Sequence, residues 1–162
     1  MADVVDRATR SAMMAGIKGR HTRPELIVRR YLHKEGFRFR LHVPDLPGRP
    51  DIVLPKWNAV IDVRGCFWHR HTGCKLTSSP STRVDFWERK FASNVERDRL
   101  NSKLVQEAGW RLAIMWECAL RADPAAALHS LTEWLTSQKP DCLIIPSGDQ
   151  LLGRPPMPGS SS

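Results

Sequence analysis

The sequence predicts a single α/β domain with a mixed central sheet flanked by helices. A chain of 162 residues, 41% of them apolar, is long enough to bury one sizeable core. Its segments follow the order helix, strands, helix, strand, helix, and this alternation favours a sheet with both parallel and antiparallel pairs.

The first helix is predicted from its end signals. Thr22 and Glu25 form a capping box with Pro24 in the first turn, and Gly36 marks the end of the helix. Between these signals lies an apolar face at helical spacing, made of Ile27, Val28, Tyr31 and Leu32.

Three strands and a loop are predicted next. Residues 37–43 alternate apolar side chains with arginine or histidine, which is typical of a half-buried strand. After the turn sequence PDLPGRP, the segments DIVL and AVIDV predict two strands of a hairpin. Residues 65–83 show no period and predict a loop, and loops of this length are usually functional or held in place.

The second half of the chain predicts two helices around one strand. Residues 84–108 lack Gly and Pro and predict a long helix that Gly109 closes. The segment WRLAIMW predicts a buried strand, and Asp123-Pro124 opens a last helix that runs through Leu135. Frequent prolines and terminal serines predict a loose tail over residues 139–162.

The charge balance points to a polyanionic partner. The formal net charge is +8, and cationic proteins bind nucleic acid through release of counterions from phosphates. No apolar run is long enough for a membrane span, and the acidic N-terminus does not resemble a signal peptide. We therefore expect a cytoplasmic protein with no membrane partner, in which the four cysteines favour metal binding over disulfides.

A metal centre is predicted in the loop. Cys66, His71 and Cys74 have the spacing C-x4-H-x2-C, and Cys118 after the buried strand is a candidate fourth ligand. Thiolates and an imidazole suit a tetrahedral structural zinc. The alternative for Cys118 is a buried small apolar side chain. Cys142 has no partner in this pattern.

A second set of residues suits phosphodiester chemistry. Asp51 begins one hairpin strand, and Asp62 and Arg64 share a face of the next, a pattern that resembles an acid followed by (Asp/Glu)-x-Lys in nucleases. Two carboxylates can hold Mg²⁺, and a nearby cation stabilises charge on the phosphate. The alternatives are a turn role for Asp51 and a solvent-facing ion pair between Asp62 and Arg64.

A general base and an aromatic surface complete the candidates. His69 suits activation of water if a carboxylate holds its other nitrogen, and the long helix offers Glu96 and Asp98. Adjacent aromatics at positions 67 and 68 could form a wedge at a loop tip, since on a strand they could not both face one core. The alternatives are a loop histidine without a catalytic role and ordinary helix–sheet contacts for Trp87.

Taken together, these motifs resemble the very-short-patch-repair (Vsr) endonucleases. The matching segments are ADVVDRATRSAMM, LPGRPDIV, GCFWHRH, TRVDFWERKFASNVERDR and GWRLAIMWECALR, which span about residues 2–121. The resemblance implies a type II restriction-endonuclease-like fold with catalytic Mg²⁺ and structural Zn²⁺. It also implies an enzyme that nicks double-stranded DNA 5′ of the thymine in a T·G mispair left by deamination of 5-methylcytosine.

The resemblance assigns roles to individual residues. It implies Mg²⁺ on Asp51 and the main-chain carbonyl of Val63, and zinc on the three residues of the C-x4-H-x2-C motif together with Cys118. It makes His69 the general base, Asp98 its support and Glu25 an outer acid. It also implies an N-terminal DNA-contacting arm over residues 1–20, joined to an endonuclease domain over residues 21–138. The implied DNA contacts are Met14, Phe67, Trp68, Trp87, Lys90 and Asn94.

The chain departs from the family pattern at two positions. Arg64 replaces a histidine on the leaving-group side, and arginine is a poor acid because it stays protonated. Asp62 replaces an apolar residue, so it is a candidate third ligand for Mg²⁺, or else a partner for Arg64 away from the metal.

Rival functions remain open at this point. One is a restriction-like or modification-dependent endonuclease that cuts intact duplexes, and another is a non-catalytic zinc-stabilised DNA-binding domain. The aromatic wedge favours mismatch nicking over both. A nick of one strand needs only a monomer, and a MutL-type repair protein is a candidate partner that the sequence does not identify.

Overall fold

A computed structural model describes residues 22–137 and 140–146, which form one α/β domain. The helices, numbered along this part of the chain, are α1 (Arg23–Lys34), α2 (Val84–Glu107), α3 (Glu117–Ala122) and α4 (Pro124–Ser137). The strands are β1 (Arg40–Leu41), β2 (Ile52–Leu54), β3 (Ala59–Arg64), β4 (Arg111–Trp116) and β5 (Cys142–Ile145). Met14 and the predicted N-terminal arm lie outside the described residues.

The five strands form one mixed sheet in the order β1-β2-β3-β4-β5. The pairs β1–β2 and β2–β3 are antiparallel, whereas β3–β4 and β4–β5 are parallel. A parallel pair needs a long crossover, and the loop 65–83 followed by α2 provides the one between β3 and β4. Every residue of β4 is buried, as expected for an inner strand with both faces covered.

Apolar side chains cover both faces of the sheet. On one face, Val28 and Leu32 of α1 and Leu131 of α4 pack with Ile61 and Met115. The other face is a smaller cluster that includes Val60, Leu112 and Trp116 of the sheet, Val105 of α2 and the loop residue Cys66. The second cluster therefore packs the start of the loop directly against the sheet.

The structure confirms the predicted first helix, hairpin, loop, long helix and buried strand, and it corrects two segments. The strand predicted over residues 37–43 is reduced to Arg40–Leu41. The amide of Phe37 still donates to the carbonyl of Leu32 at the end of α1, and His42 has a left-handed φ of 49°, which ends the strand. A short helix, α3, also follows β4 where none was predicted.

The boundary predicted at residue 138 is wrong, because the sheet continues into the predicted tail. Residues Cys142–Ile145 form β5, and the amide of Leu112 donates to the carbonyl of Asp141 at 2.9 Å. Trp134 donates its indole N–H to the carbonyl of Pro140 at 2.7 Å, which directs the chain back to the sheet edge. Residues 147–162 of the predicted tail lie outside the described residues. Among those that are described, no helix combines the length and apolar character needed to span a membrane.

Two neighbouring residues of β5 test whether this strand contributes to stability. Leu143 packs against the main core cluster, whereas the side chain of Ile144 is 44% exposed. We expect Leu143→Ala to lower the free energy of unfolding by roughly 1–3 kcal/mol and Ile144→Ala to lower it by much less. Denaturant unfolding of both variants checks this, and equal small effects would mean that β5 adds little to the core.

Candidate active site and metal centre

A cleft with a volume of about 1230 Å³ opens where β2 begins and β3 ends. It collects most of the residues singled out from the sequence. Those that line it are Glu25, Asp51, Asp62, Val63, Arg64, Phe67, Trp68, His69, Lys90, Asn94 and Asp98. Residues separated by more than 70 positions in the chain therefore face one space.

The hairpin register brings Asp51 and Asp62 together. Ile52 pairs with Ile61, so the residues just beyond this pair, Asp51 and Asp62, lie opposite each other. Oδ2 of Asp51 accepts a hydrogen bond of 2.8 Å from the amide of Val63. Burial raises the pKa of Asp51 well above its ordinary value, and the charges of Asp62 and Glu25 raise it further. The ionised carboxylate is thus held at a free-energy cost that a bound cation would relieve.

The turn before Asp51 lies unusually close to α2. Gly48 has a φ of +75°, and a Cβ at this position would come within 2.8 Å of the Asn101 side chain. Only glycine meets both the steric and the conformational requirement without strain. This contact fixes the distance between the acidic residues on the hairpin and those on α2.

The backbone of Glu25 is part of the cap at the start of α1, and its side chain lies in the cleft. Its amide bonds to the side chain of Thr22 at 3.4 Å, which is one half of the predicted capping box. Its carboxylate, which is almost fully buried, instead lies 3.0 Å from Nη1 of Arg29 and 2.9 Å from Nε2 of His42. The capping residue therefore extends its side chain toward His42 and Asp51, and these three residues form the acidic centre.

His42 is a member of this centre that the sequence interpretation did not identify. Its Nε2 lies 2.9 Å from Glu25 and 3.8 Å from Oδ1 of Asp51. In the sequence it was one of the polar residues of an alternating strand. The available signal was its position at the end of that strand, directly before the turn that leads to Asp51.

Asp62 and Arg64 form an ion pair on the other side of the cleft. Nη2 of Arg64 lies 3.3 Å from Asp62 and 3.0 Å from the hydroxyl of Ser102 on α2. Burial raises the pKa of Asp62, and the neighbouring guanidinium partly offsets this rise. Arg64 is itself only 9% exposed, so the ion pair considered as the solvent-facing alternative is present but largely buried.

The predicted pairing of His69 with an acid is present, and the structure distinguishes the two candidate acids. Nδ1 of His69 lies 2.6 Å from Oδ2 of Asp98. Glu96, the other candidate, pairs with Arg99 on the exposed side of α2. An imidazole held at Nδ1 by a carboxylate has its orientation fixed, which leaves Nε2 to exchange a proton with a ligand.

The aromatic residues of the loop and α2 form one cluster. The ring centroids of Phe67 and Trp68 are 5.0 Å apart, and Trp87 lies 6.1 and 5.9 Å from them. Phe91 of α2 also contacts the cluster, with its ring centroid 5.2 Å from that of Phe67. Phe67 and Trp68 are half-buried and line the cleft, whereas Trp87 contacts both rings without being one of the lining residues.

Polar contacts hold the loop backbone beneath these rings. Arg70 donates to the carbonyls of Phe67 and Ser78 and stacks 3.9 Å above the ring of Phe91. Asn94, only 6% exposed, donates to the carbonyl of Trp68 at 3.0 Å and accepts from Arg97 at 2.7 Å. In this arrangement Asn94 positions the loop, and its contact with DNA bases stays a prediction.

Four side chains of the predicted metal centre meet at the root of the loop. The ligand atoms of Cys66, His71, Cys74 and Cys118 all lie within 4.8 Å of one another. Nδ1 of His71 is 3.5 Å from the sulfur of Cys66 and 3.4 Å from that of Cys118. A tetrahedral ion with bonds of about 2.3 Å to sulfur and about 2.0 Å to nitrogen separates such atoms by about 3.5 Å.

The surroundings of the cluster also suit a metal ion. Backbone amides of Cys118 and Leu76 donate to the sulfurs of Cys66 and Cys74, each at 3.4 Å, and such bonds stabilise thiolates. The His71 ring stacks on Trp116, with centroids 3.9 Å apart. Burial raises the pKa values of Cys66 and Cys118, so without a cation these thiols stay protonated. The cluster could therefore hold a metal ion in exchange for protons.

Comparison with known proteins places this chain in a family. The family model described as "DNA mismatch endonuclease Vsr" matches residues 2–75. The DNA mismatch endonuclease Vsr of Escherichia coli (strain K12) is 43% identical over 156 residues, which cover 94% of this chain and 99% of that protein.

Two further relatives are nicking enzymes by name. Type II nicking enzyme V.XorIIP of Xanthomonas oryzae pv. oryzae is 43% identical over 74% of this chain and 88% of its own length. Type II nicking enzyme V.NmeAIP of Neisseria meningitidis is 37% identical over 75% of this chain and 86% of its own length. The 43% identity to the Escherichia coli protein over 94% of this chain shows that the protein belongs to the Vsr family of DNA mismatch endonucleases.

Proposed function

We propose that this enzyme uses Mg²⁺ to nick double-stranded DNA on the 5′ side of the thymine in a T·G mispair. The observation that carries the proposal is the convergence of three features in one cleft: the acidic centre, the His69–Asp98 pair and the aromatic cluster. An intact-duplex nuclease needs the first two but has no use for an apolar wedge. The relatives that are named mismatch endonuclease and nicking enzymes support cleavage of one strand.

In this proposal Asp51 and the main-chain carbonyl of Val63 would hold Mg²⁺. The cation supplies polarisation of the scissile phosphate when it is bound. The hydrogen bond from the Val63 amide to Oδ2 of Asp51 keeps the carboxylate in one orientation, which leaves Oδ1 directed toward His42. Glu25 lies beside them, with a carboxylate oxygen within 4.8 Å of one of Asp51.

His69 takes the proton from the attacking water at Nε2. Asp98 fixes the tautomer by accepting from Nδ1, and its charge stabilises the imidazolium that forms. Arg64 stabilises negative charge on the phosphate and on the leaving oxygen, and Asp62 and Ser102 orient its guanidinium. Because arginine stays protonated, the leaving oxygen must obtain its proton from solvent.

Recognition of the mispair is assigned to the aromatic cluster. Phe67, Trp68 and Trp87 would enter the base stack beside the mispair, where unstacking costs least. A structural zinc on Cys66, His71, Cys74 and Cys118 would hold the loop that carries two of these rings. Lys90 lines the cleft and would contact the mispaired bases. Asn94 would position these bases indirectly, because it holds the carbonyl of Trp68.

The first test compares nicking of duplexes that differ only in one base. We expect strand cleavage of a T·G duplex and little cleavage of the matched duplex. Asp51→Asn should abolish nicking, and His69→Ala should lower the rate roughly 10²–10⁴-fold, the usual contribution of a general base. Asp98→Asn should also slow the reaction, whereas Glu96→Gln on the exposed side of the same helix should not. Equal cleavage of both duplexes would favour the restriction-like alternative.

The second test concerns the wedge. Trp68→Ala, measured on inactive Asp51→Asn protein, should weaken binding to a T·G duplex by roughly 1–3 kcal/mol because a base loses its stacking partner. Binding to the matched duplex rests mainly on phosphate contacts and should change much less. Equal losses on the two duplexes would assign Trp68 a packing role instead.

The third test concerns the metal of the loop. Protein purified without chelator should contain about one zinc per chain, and removal of the zinc should lower the melting temperature. Cys74→Ala should lose the metal, whereas Cys142→Ala should retain it because Cys142 lies on β5 outside the cluster. Acidification should release the zinc, since the raised thiol pKa values favour protonation. Unchanged melting of the metal-free protein would contradict a structural role.

A further inference from the structure

The acidic centre contains an imidazole in the position of a metal ligand. The ligand atoms of Glu25, His42 and Asp51 lie within 4.8 Å of one another. Nε2 of His42 is 2.9 Å from Oε2 of Glu25 and 3.8 Å from Oδ1 of Asp51. In an octahedral shell with bonds of about 2.1 Å, neighbouring ligands are about 3.0 Å apart and opposite ligands about 4.2 Å apart. The shorter distance is close to that of neighbouring ligands, and the longer one lies between the two values.

The orientation of Asp51 selects this side of the cleft over the side of Asp62. One oxygen of Asp51 accepts from the Val63 amide, and the other is the oxygen directed toward His42. Asp62 is turned to Arg64 at 3.3 Å. Among the described residues, the His, Cys, Asp and Glu groups that could hold a metal are the cysteine–histidine cluster and the Glu25–His42–Asp51 cluster, and Asp62 belongs to neither.

The local backbone holds His42 rigidly in this place. Its amide donates to the carbonyl of Asp51 at 3.1 Å, so the two residues are neighbours across adjacent strands. Its φ of 49° is left-handed, a conformation that non-glycine residues adopt rarely and that occurs often at ligand-binding positions. The side chain is only 7% exposed, and Arg29 orients the Glu25 carboxylate from the far side.

From this geometry we propose that His42 is a nitrogen ligand of the catalytic cation, together with Asp51 and Glu25. A nitrogen ligand favours transition ions, whose affinity for such sites rises from Mn²⁺ to Co²⁺, over Mg²⁺, which prefers oxygen ligands only. The site therefore binds Mn²⁺ and Co²⁺ more tightly than Mg²⁺. The inference rests on the proposed function in one respect, that this cation is the one that supports nicking.

The experiment uses full-length protein with its loop cluster loaded with zinc, titrated with Mn²⁺. Electron spin-echo spectroscopy should detect nitrogen coupled to the bound Mn²⁺. His42→Gln and His42→Ala should lose this coupling and bind Mn²⁺ at least about tenfold more weakly, the scale on which supporting groups change metal affinity. His69→Ala and Asp62→Asn should keep the nitrogen coupling. Circular dichroism of each metal-free variant checks that it is folded.

Two results would overturn the assignment. One is a wild-type spectrum without nitrogen coupling, which would make His42 a group that only orients the carboxylates. The other is coupling that survives in both folded His42 variants. Either result leaves T·G nicking by the wild-type enzyme intact. Conversely, nitrogen-coupled Mn²⁺ in a protein that nicks no T·G duplex with Mg²⁺, Mn²⁺ or Co²⁺ would reject the proposed function and retain the ligand.

Discussion

The contact on which the site depends is the meeting of Cys66 and Cys118 around His71. These cysteines are 52 positions apart in the chain, and their sulfurs both lie within 3.5 Å of the same imidazole nitrogen. The loop between β3 and α2 has no strand ladder or helix of its own, so its conformation must come from such contacts. With the root of the loop held against Trp116, Phe67, Trp68 and His69 are presented to the cleft in one arrangement.

The acidic centre and the loop meet through α2. This helix supplies Asp98 to His69, Asn94 to the Trp68 carbonyl and Ser102 to Arg64. The helix is also held at a short distance from the turn before Asp51 by the contact between Gly48 and Asn101. A single rigid element thus sets the separation between the residues that act on the phosphate and the rings that face the bases.

The same concentration of charge has a cost for stability. Asp51 and Asp62 are half-buried and lie opposite each other, and the pKa values of both are raised. A group whose pKa is raised on folding favours the folded state at pH values below its unfolded pKa, and this contribution is lost as the pH rises through the folded pKa. At neutral pH these carboxylates therefore oppose folding; Arg64 offsets part of this cost, and a bound cation would offset more. Such tension is expected where binding, rather than stability, has determined the residues.

The sequence by itself determined the elements with strong local signals. The capped helix α1, the glycine-closed helix α2, the hairpin and the buried strand β4 all follow from short-range patterns. The spacing of Cys66, His71 and Cys74 also predicted a metal centre, because ligands on one loop reflect local chain geometry. The long matching segments carried the family assignment.

Only the tertiary structure decided the features that depend on distant neighbours. The strand β5 exists because β4 offers it a partner, although its own proline-rich surroundings predicted a tail. The residue pattern alone left both Asp98 and Glu96 open as the support of His69, and only the family resemblance named Asp98; the orientation of α2 places Asp98 at the loop and Glu96 on the exposed side. His42 joins the acidic centre through cross-strand pairing with Asp51. The order of residues signals this contact only weakly, by the place of His42 at a strand end, because strand register is set by the packing of the whole sheet.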